Sequence, residues 1–172
     1  AAVEFLKSEE ILEPMDAIRG GILKGQPLTV EDLLAVLARA KHDCKVGAIG
    51  SSLNAVGRRA DGHELLEHLF EKEGCMEAAL ERIAWYVADH DFPNADALSE
   101  TLIEKFPESE EAIGRRAQVL MALKRPLDAV TLLEPVVWKN PHSGLLSALL
   151  GAYNRVSDHA WQDAKRNEIV AK

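Results

Sequence analysis

Residues 76–107 read MEAALERIAWYVADHDFPNADALSETLIEKFP, and residues 110–141 read EEAIGRRAQVLMALKRPLDAVTLLEPVVWKNP. A shift of 34 lays Pro107 on Pro141 and Ala95 on Ala129. Each stretch carries apolar residues at i, i+3, i+4 spacing, then a turn with a proline, a second apolar-periodic run and a closing x-Pro. One such unit cannot bury its apolar face alone, so a repeated unit of this length predicts stacked helix hairpins.

The spacing predicts helices over 76–90 and 93–105, then over 110–123 and 126–138. Pro93 falls in a first turn, where its missing N–H costs nothing. Pro135 sits inside a helix and is expected to bend it. A third copy begins at Pro141, with helices over 143–156 and 159–170, and Gln162, Asp163, Lys165, Arg166, Asn167 and Glu168 give the last one the polar character of a cap.

Upstream, 3–12 is an amphipathic segment, and Pro14 can open a helix through Met15, Ile18, Ile22 and Leu23. Gly25-Gln26-Pro27 breaks it. Thr29 with Asp32 three residues on forms an N-terminal capping pair for a helix reaching Ala40. Helices over 44–56 and 61–72 join around Gly57, with Gly74 as the C-terminal cap. β-branched residues nowhere alternate with polar ones over a useful length, so the fold class is all-α.

The pattern resembles the tetratricopeptide repeat. Ile113, Ala117, Leu120, Ala129, Leu133, Val136 and Pro141 fall on that family's signature positions in one unit, and Ile83, Tyr86, Ala95, Leu102 and Pro107 in the other. Small residues let the helices of a hairpin approach closely, and large ones fill the groove toward the next hairpin. Three positions depart: Arg82 and Arg116 stand where leucine is usual, and Ser99 where a large apolar residue is usual. The third copy places Leu150-Gly151 in register, but Ala164 is shifted by one.

The resemblance implies a right-handed α-α superhelix of about four to five hairpins. It divides the chain into irregular N-terminal helix pairs over 1–75 and repeats with a polar capping helix over 76–172. It also implies a concave groove lined by the first helices. Carried over, the lining is Glu77, Leu80, Ala84, Val87 and Ala88, then Glu111, Gly114, Gln118, Met121 and Ala122. The third copy adds Leu145, Ala148, Ala152, Arg155 and Val156. Some members grip a C-terminal carboxylate with lysine and asparagine, but Leu80, Ala84, Gly114 and Gln118 occupy those positions here, so that clamp is absent.

With 172 residues, 47% of them apolar, the chain can bury a substantial core. Its net charge of -8 repels phosphate backbones and anionic lipid, which argues against a nucleic-acid partner. The short basic clusters Arg58-Arg59, Arg115-Arg116 and Lys165-Arg166 read as solvated helix faces. No apolar run is long enough to span a bilayer, so direct membrane insertion is not expected.

No motif carries catalytic chemistry. His63 and His68 are five apart, about 140° around a helix, and cannot share a metal as histidines four apart do; both are expected to face solvent. Cys44 and Cys75 read as buried free thiols, and with His42 and His90 they lack a paired-ligand spacing. The glycines of 20–25 and 47–50 lack the order of a phosphate loop, and the second group reads as a face for close helix packing. Glu108, Glu110 and Glu111 cluster at a helix start, where they complement the macrodipole.

These readings lead to a non-enzymatic scaffold without cofactor or metal, binding a protein segment or subunit, with homo-oligomerisation or filling of the groove by the N-terminal helices as further options. The alternative is an accessory or oligomerisation domain of a larger enzyme or of a bacterial envelope, polysaccharide or secretion assembly. A cytoplasmic location is favoured.

Overall fold

The computed structural model describes residues 14–40, 44 and 46–156, all-helical with no strand among them. The expected helices over 3–12 and 159–170, with the polar capping residues, lie outside the described residues. The elements are α1 (Pro14–Leu23), α2 (Val30–Ala40), α3 (Gly47–Ala55), α4 (Arg59–Glu73), α5 (Met76–Ala88), α6 (Phe92–Lys105), α7 (Glu110–Ala122), α8 (Pro126–Lys139) and α9 (Leu146–Arg155). The chain divides into two compact units, Ala1–Trp85 and Tyr86–Lys172, and the division falls inside α5.

One turn recurs in three hairpins. The N–H groups of Arg58, Asp91 and Arg125 donate to the carbonyls of Leu53, Tyr86 and Leu120 at 2.8, 2.8 and 2.9 Å. The preceding residues, Gly57, His90 and Lys124, have φ of 78°, 59° and 60°. This left-handed closure satisfies carbonyls that the helix end leaves open, and glycine adopts it with the least strain. The turns between hairpins repeat as well. Phe106 and Asn140 donate to Leu102 and Val136 at 2.9 and 3.0 Å, and Ser109 and Ser143 to Phe106 and Asn140 at 3.1 and 2.9 Å.

In the first unit, α1 packs on α2 and α3, α2 on α4, and α3 on α4. Ile18, Ile22, Leu33, Leu37, Ile49, Leu53, Leu65, Leu66, Leu69 and Phe70 are all fully buried. The Thr29–Asp32 pair starts α2 as expected: Asp32 N–H donates to Thr29 Oγ1 at 3.1 Å, and Thr29 N–H to Asp32 Oδ2 at 3.0 Å. These bonds hold the Asp32 carboxyl below its ordinary value, the backbone bond contributing most. Gly74 closes α4 at φ 68°.

Trp85 seats on α4 because Gly62 has no side chain: a Cβ there would stand 2.8 Å from the ring. The indole N–H donates to Glu81 Oε1 at 2.9 Å, and the Arg59 guanidinium lies 5.0 Å from the ring centroid. His63 meets the same ring edge-on at 5.0 Å, so it is half-buried, whereas His68 is exposed as expected.

The cysteines correct the expectation of free thiols. Cys44 and Cys75 form a disulfide with their Cα atoms 5.2 Å apart. The fold brings the segment before α3 and the α4–α5 turn together, and a sequence separation of 31 carries no sign of that proximity.

In the second unit, α6 packs on α7, α7 on α8, and α8 on α9. Its core holds Ile113, Ala117, Leu120, Ala129, Val130, Leu133, Val137, Leu145 and Leu149. Buried Ala117 and Ala129 supply the small side chains that close helix approach requires.

The three departures from the family's pattern have a packing reason. Arg116 is buried and donates through Nη1 to the Asp96 carboxylate, to the Asp96 carbonyl at 2.9 Å and to Ser99 Oγ at 2.9 Å. Ser99, itself fully buried, is polar because Arg116 needs an acceptor there. Arg82 is buried in the first unit and pairs with Glu67 at 3.4 Å. The solvated reading of Arg115-Arg116 therefore fails for Arg116, and half-buried Arg58 and Arg59 depart from it too. Lys165 and Arg166 lie outside the described residues.

Candidate binding cavity

The second unit contains an open cavity of about 730 Å³ lined by Met121, Lys124, Arg125, Pro126, Leu127, Asp128, Arg155 and Val156. Three helices and one turn build it. The end of α7 supplies Met121, the left-handed turn throws out Lys124, and the start of α8 gives Arg125 to Asp128. The last residue of α9 and its C-cap add Arg155 and Val156. Pro126 fits the first turn of α8, since its fixed φ suits a helix start and no N–H is needed there.

Arg125 is committed within this lining. Its Nε donates to Asp128 Oδ2 at 2.5 Å, and its Nη1 lies 3.8 Å from Asp96 Oδ2. The Asp128 hydrogen bond pushes the guanidinium above its ordinary value, with the charges of Asp128, Asp96 and Glu100 acting in the same direction. Lys124 and Arg155 are exposed, and no carboxylate among the described residues lies within ion-pair distance of either. The apolar lining consists of half-buried Met121, Leu127 at 45% exposure and buried Val156.

Of the groove candidates, Met121, Arg155 and Val156 meet at this cavity. Glu111 is exposed, Gln118 is exposed and accepts from Arg115 Nη1 at 3.2 Å, and Val87 is half-buried. Gly114 backs onto Leu145, whose Cδ2 would stand 2.9 Å from a Cβ at that position. In the first unit, Leu80 and Ala84 are half-buried, and Glu77 accepts from the Gly47 N–H at 3.2 Å. Lys124, Arg125, Leu127 and Asp128 were missed because the groove pattern draws on first helices only. Their signal in the sequence is the Arg125-x-x-Asp128 spacing just after a turn, repeated from Arg58 and Asp61, whose Nε–Oδ2 bond is 2.7 Å.

A smaller cavity of about 420 Å³ lies in the first unit against Ile22, Gln26, Pro27, Leu28, Val56 and Arg58. Its cation, Arg58, is already held by Asp61. Among the described residues no group of three or more His, Cys, Asp or Glu side chains could hold a metal, and no helix is long and apolar enough to cross a membrane. Comparison with family models, with curated proteins and with solved structures gives no match to this chain.

Proposed function

We propose that the chain is a non-enzymatic interaction module, a helical repeat of the tetratricopeptide type with its right-handed α-α superhelix, and that its Tyr86–Lys172 unit binds a protein segment or subunit. The observation that carries this reading is the convergence of Met121 and Arg155, from two separate first helices, on one open cavity. A volume of about 730 Å³ accommodates a few side chains of a partner. Its described lining consists of cations, one carboxylate and apolar side chains, groups suited to holding a ligand.

Selection of a random peptide library on the immobilised chain tests the reading. Enriched peptides are expected to bind saturably to the wild type and at least about tenfold more weakly to Met121→Glu, whose carboxylate at a half-buried position opposes apolar contact. A library that enriches nothing over the folded Met121→Glu chain overturns it.

A second reading is favoured by the Cys44–Cys75 disulfide. Stable disulfides belong to oxidising compartments, which supports an accessory or oligomerisation domain in an envelope or secretion assembly over a cytoplasmic scaffold. Thiol titration of the denatured, unreduced chain from its native source is expected to find no free thiol. Two reactive thiols, or a monomer by light scattering at all accessible concentrations, would remove the compartment and the self-association arguments respectively.

A further inference from the structure

We propose that the cavity of the second unit selects an acidic protein segment: a carboxylate of the partner is received by Lys124 and Arg155, and an adjacent aliphatic side chain sits on Met121, Leu127 and Val156. This deepens the segment-binding reading and rests on it. Among the described residues three cations and one carboxylate line the cavity, although the chain as a whole carries -8. Asp128 and Asp96 lie against Arg125, so the positive charge on offer at the mouth is that of Lys124 and Arg155, and it draws an anionic group to this place rather than to the acidic surface at large.

The division of labour among the cations sharpens the ligand. Arg125 is held by Asp128, which leaves Lys124 and Arg155, neither ion-paired among the described residues. Lys124 is fixed at its backbone by the left-handed turn, with its N–H on the Met121 carbonyl at 3.2 Å. Arg155 ends α9, where a cation complements the helix dipole and the guanidinium offers a fork for a carboxylate. Two uncommitted cations in an acidic chain are too few for a phosphate backbone, whose binding grows with each phosphate neutralised. The exposed Leu127 shares the lining with Met121 and Val156 and so offers an apolar contact next to the anion, which a peptide with alternating leucine and glutamate matches.

Fluorescence anisotropy on the full chain tests this with three labelled peptides: Leu-Glu-Leu-Glu between Gly-Ser flanks, and the same peptide with glutamine or lysine in place of glutamate. The glutamate peptide is expected to bind saturably and to weaken with salt. The glutamine peptide should bind about tenfold more weakly, the combined worth of two partly exposed charge pairs, and the lysine peptide more weakly still. Lys124→Gln with Arg155→Gln, both at exposed positions and checked by circular dichroism, should remove the preference for glutamate. Equal binding of the glutamate and glutamine peptides, or an unchanged preference in the double variant, overturns the proposal while leaving segment binding intact. Displacement by succinate at concentrations matching the peptide also overturns it, by making the ligand a small carboxylate. Absence of saturable binding by all three peptides overturns it too, the cavity being filled by the chain itself or by a second copy; whether segment binding survives is then decided by the library selection.

Discussion

Cys75 and Ser109 occupy the same station, 34 residues apart, each one residue before the first helix of a hairpin. Ser109 caps its helix, its Oγ accepting from the Ala112 N–H at 3.2 Å. Cys75 instead clips its hairpin covalently to Cys44. The difference shows how one repeated backbone is held by unlike means: the second unit relies on a polar cap and an apolar core, and the first adds a cross-link. Loss of the cross-link is the harshest way to break the comparison. Closing a loop of 31 residues restricts the unfolded chain by about 3–4 kcal/mol. Reduction, or Cys44→Ala with Cys75→Ala, is expected to cost roughly that much in urea denaturation. Hydrogen exchange should localise the loss to 46–85 and leave protection over 110–156 unchanged; a uniform loss would show that the two units unfold together.

Two glycines give the next largest contrast. A Cβ at Gly62 would stand 2.8 Å from the Trp85 ring, and one at Gly114 would stand 2.9 Å from the Leu145 Cδ2 atom. The distances are alike but the neighbours are not. Trp85 is a large planar ring held by its bond to Glu81 and by Arg59 above it, whereas a terminal methyl shifts by a small rotation. Alanine gains about 1 kcal/mol of helix propensity at either site. Gly62→Ala is therefore expected to lose about 1–2 kcal/mol net by overpacking, and Gly114→Ala to stay within about 0.5 kcal/mol of wild type. Thermal denaturation of the two variants decides it, and equal effects would mean that the ring moves as freely as the leucine.

A smaller contrast concerns the two buried arginines. Arg116 reaches both Asp96 and the buried Ser99, while Arg82 reaches Glu67, which is 60% exposed. A double-mutant cycle of Arg116→Leu with Ser99→Ala should give a coupling of about 1 kcal/mol, the worth of one buried hydrogen bond to a charged group, each partner keeping its own bond to Asp96 when the other is removed. The corresponding cycle of Arg82→Leu with Glu67→Ala should give under about 0.5 kcal/mol, since the carboxylate is solvated in either state.

Local rules in the sequence sufficed where a few neighbouring residues decide the outcome. Thr29 with Asp32, Gly74 and Pro93 each act within one turn, and Ala117 and Ala129 carry the helix crossing by size alone. The disulfide was hidden because cysteine spacing says nothing about the approach of Cα atoms across a fold. Arg116 and Ser99 read as two faults when taken singly and make sense only as a pair, 17 residues apart. The cavity escaped for a related reason: Met121 and Arg155 lie on first helices, but Lys124, Arg125 and Asp128 come from a turn and a helix start, which the groove pattern leaves out.

The smallest expected effect concerns how α2 begins compared with α7. Ser109 caps α7 with a hydroxyl that does not titrate in the acid range, but the cap of α2 is reciprocal and includes the Asp32 carboxylate. The hydrogen bonds from Thr29 favour the ionised form, so the folded carboxyl lies below its unfolded value. A depressed carboxylate contributes stability that is fully present above the unfolded value and is lost as pH falls through the folded one. Asp32→Asn should therefore lower stability at neutral pH and flatten its decline at pH below the ordinary carboxylate range. Thr29→Ala should shift that decline toward higher pH by removing the side-chain bond, while Ser109→Ala lowers stability by a similar amount at every pH. Urea midpoints measured across the acid range separate the two caps, and an Asp32→Asn curve parallel to wild type would remove the carboxylate from the account.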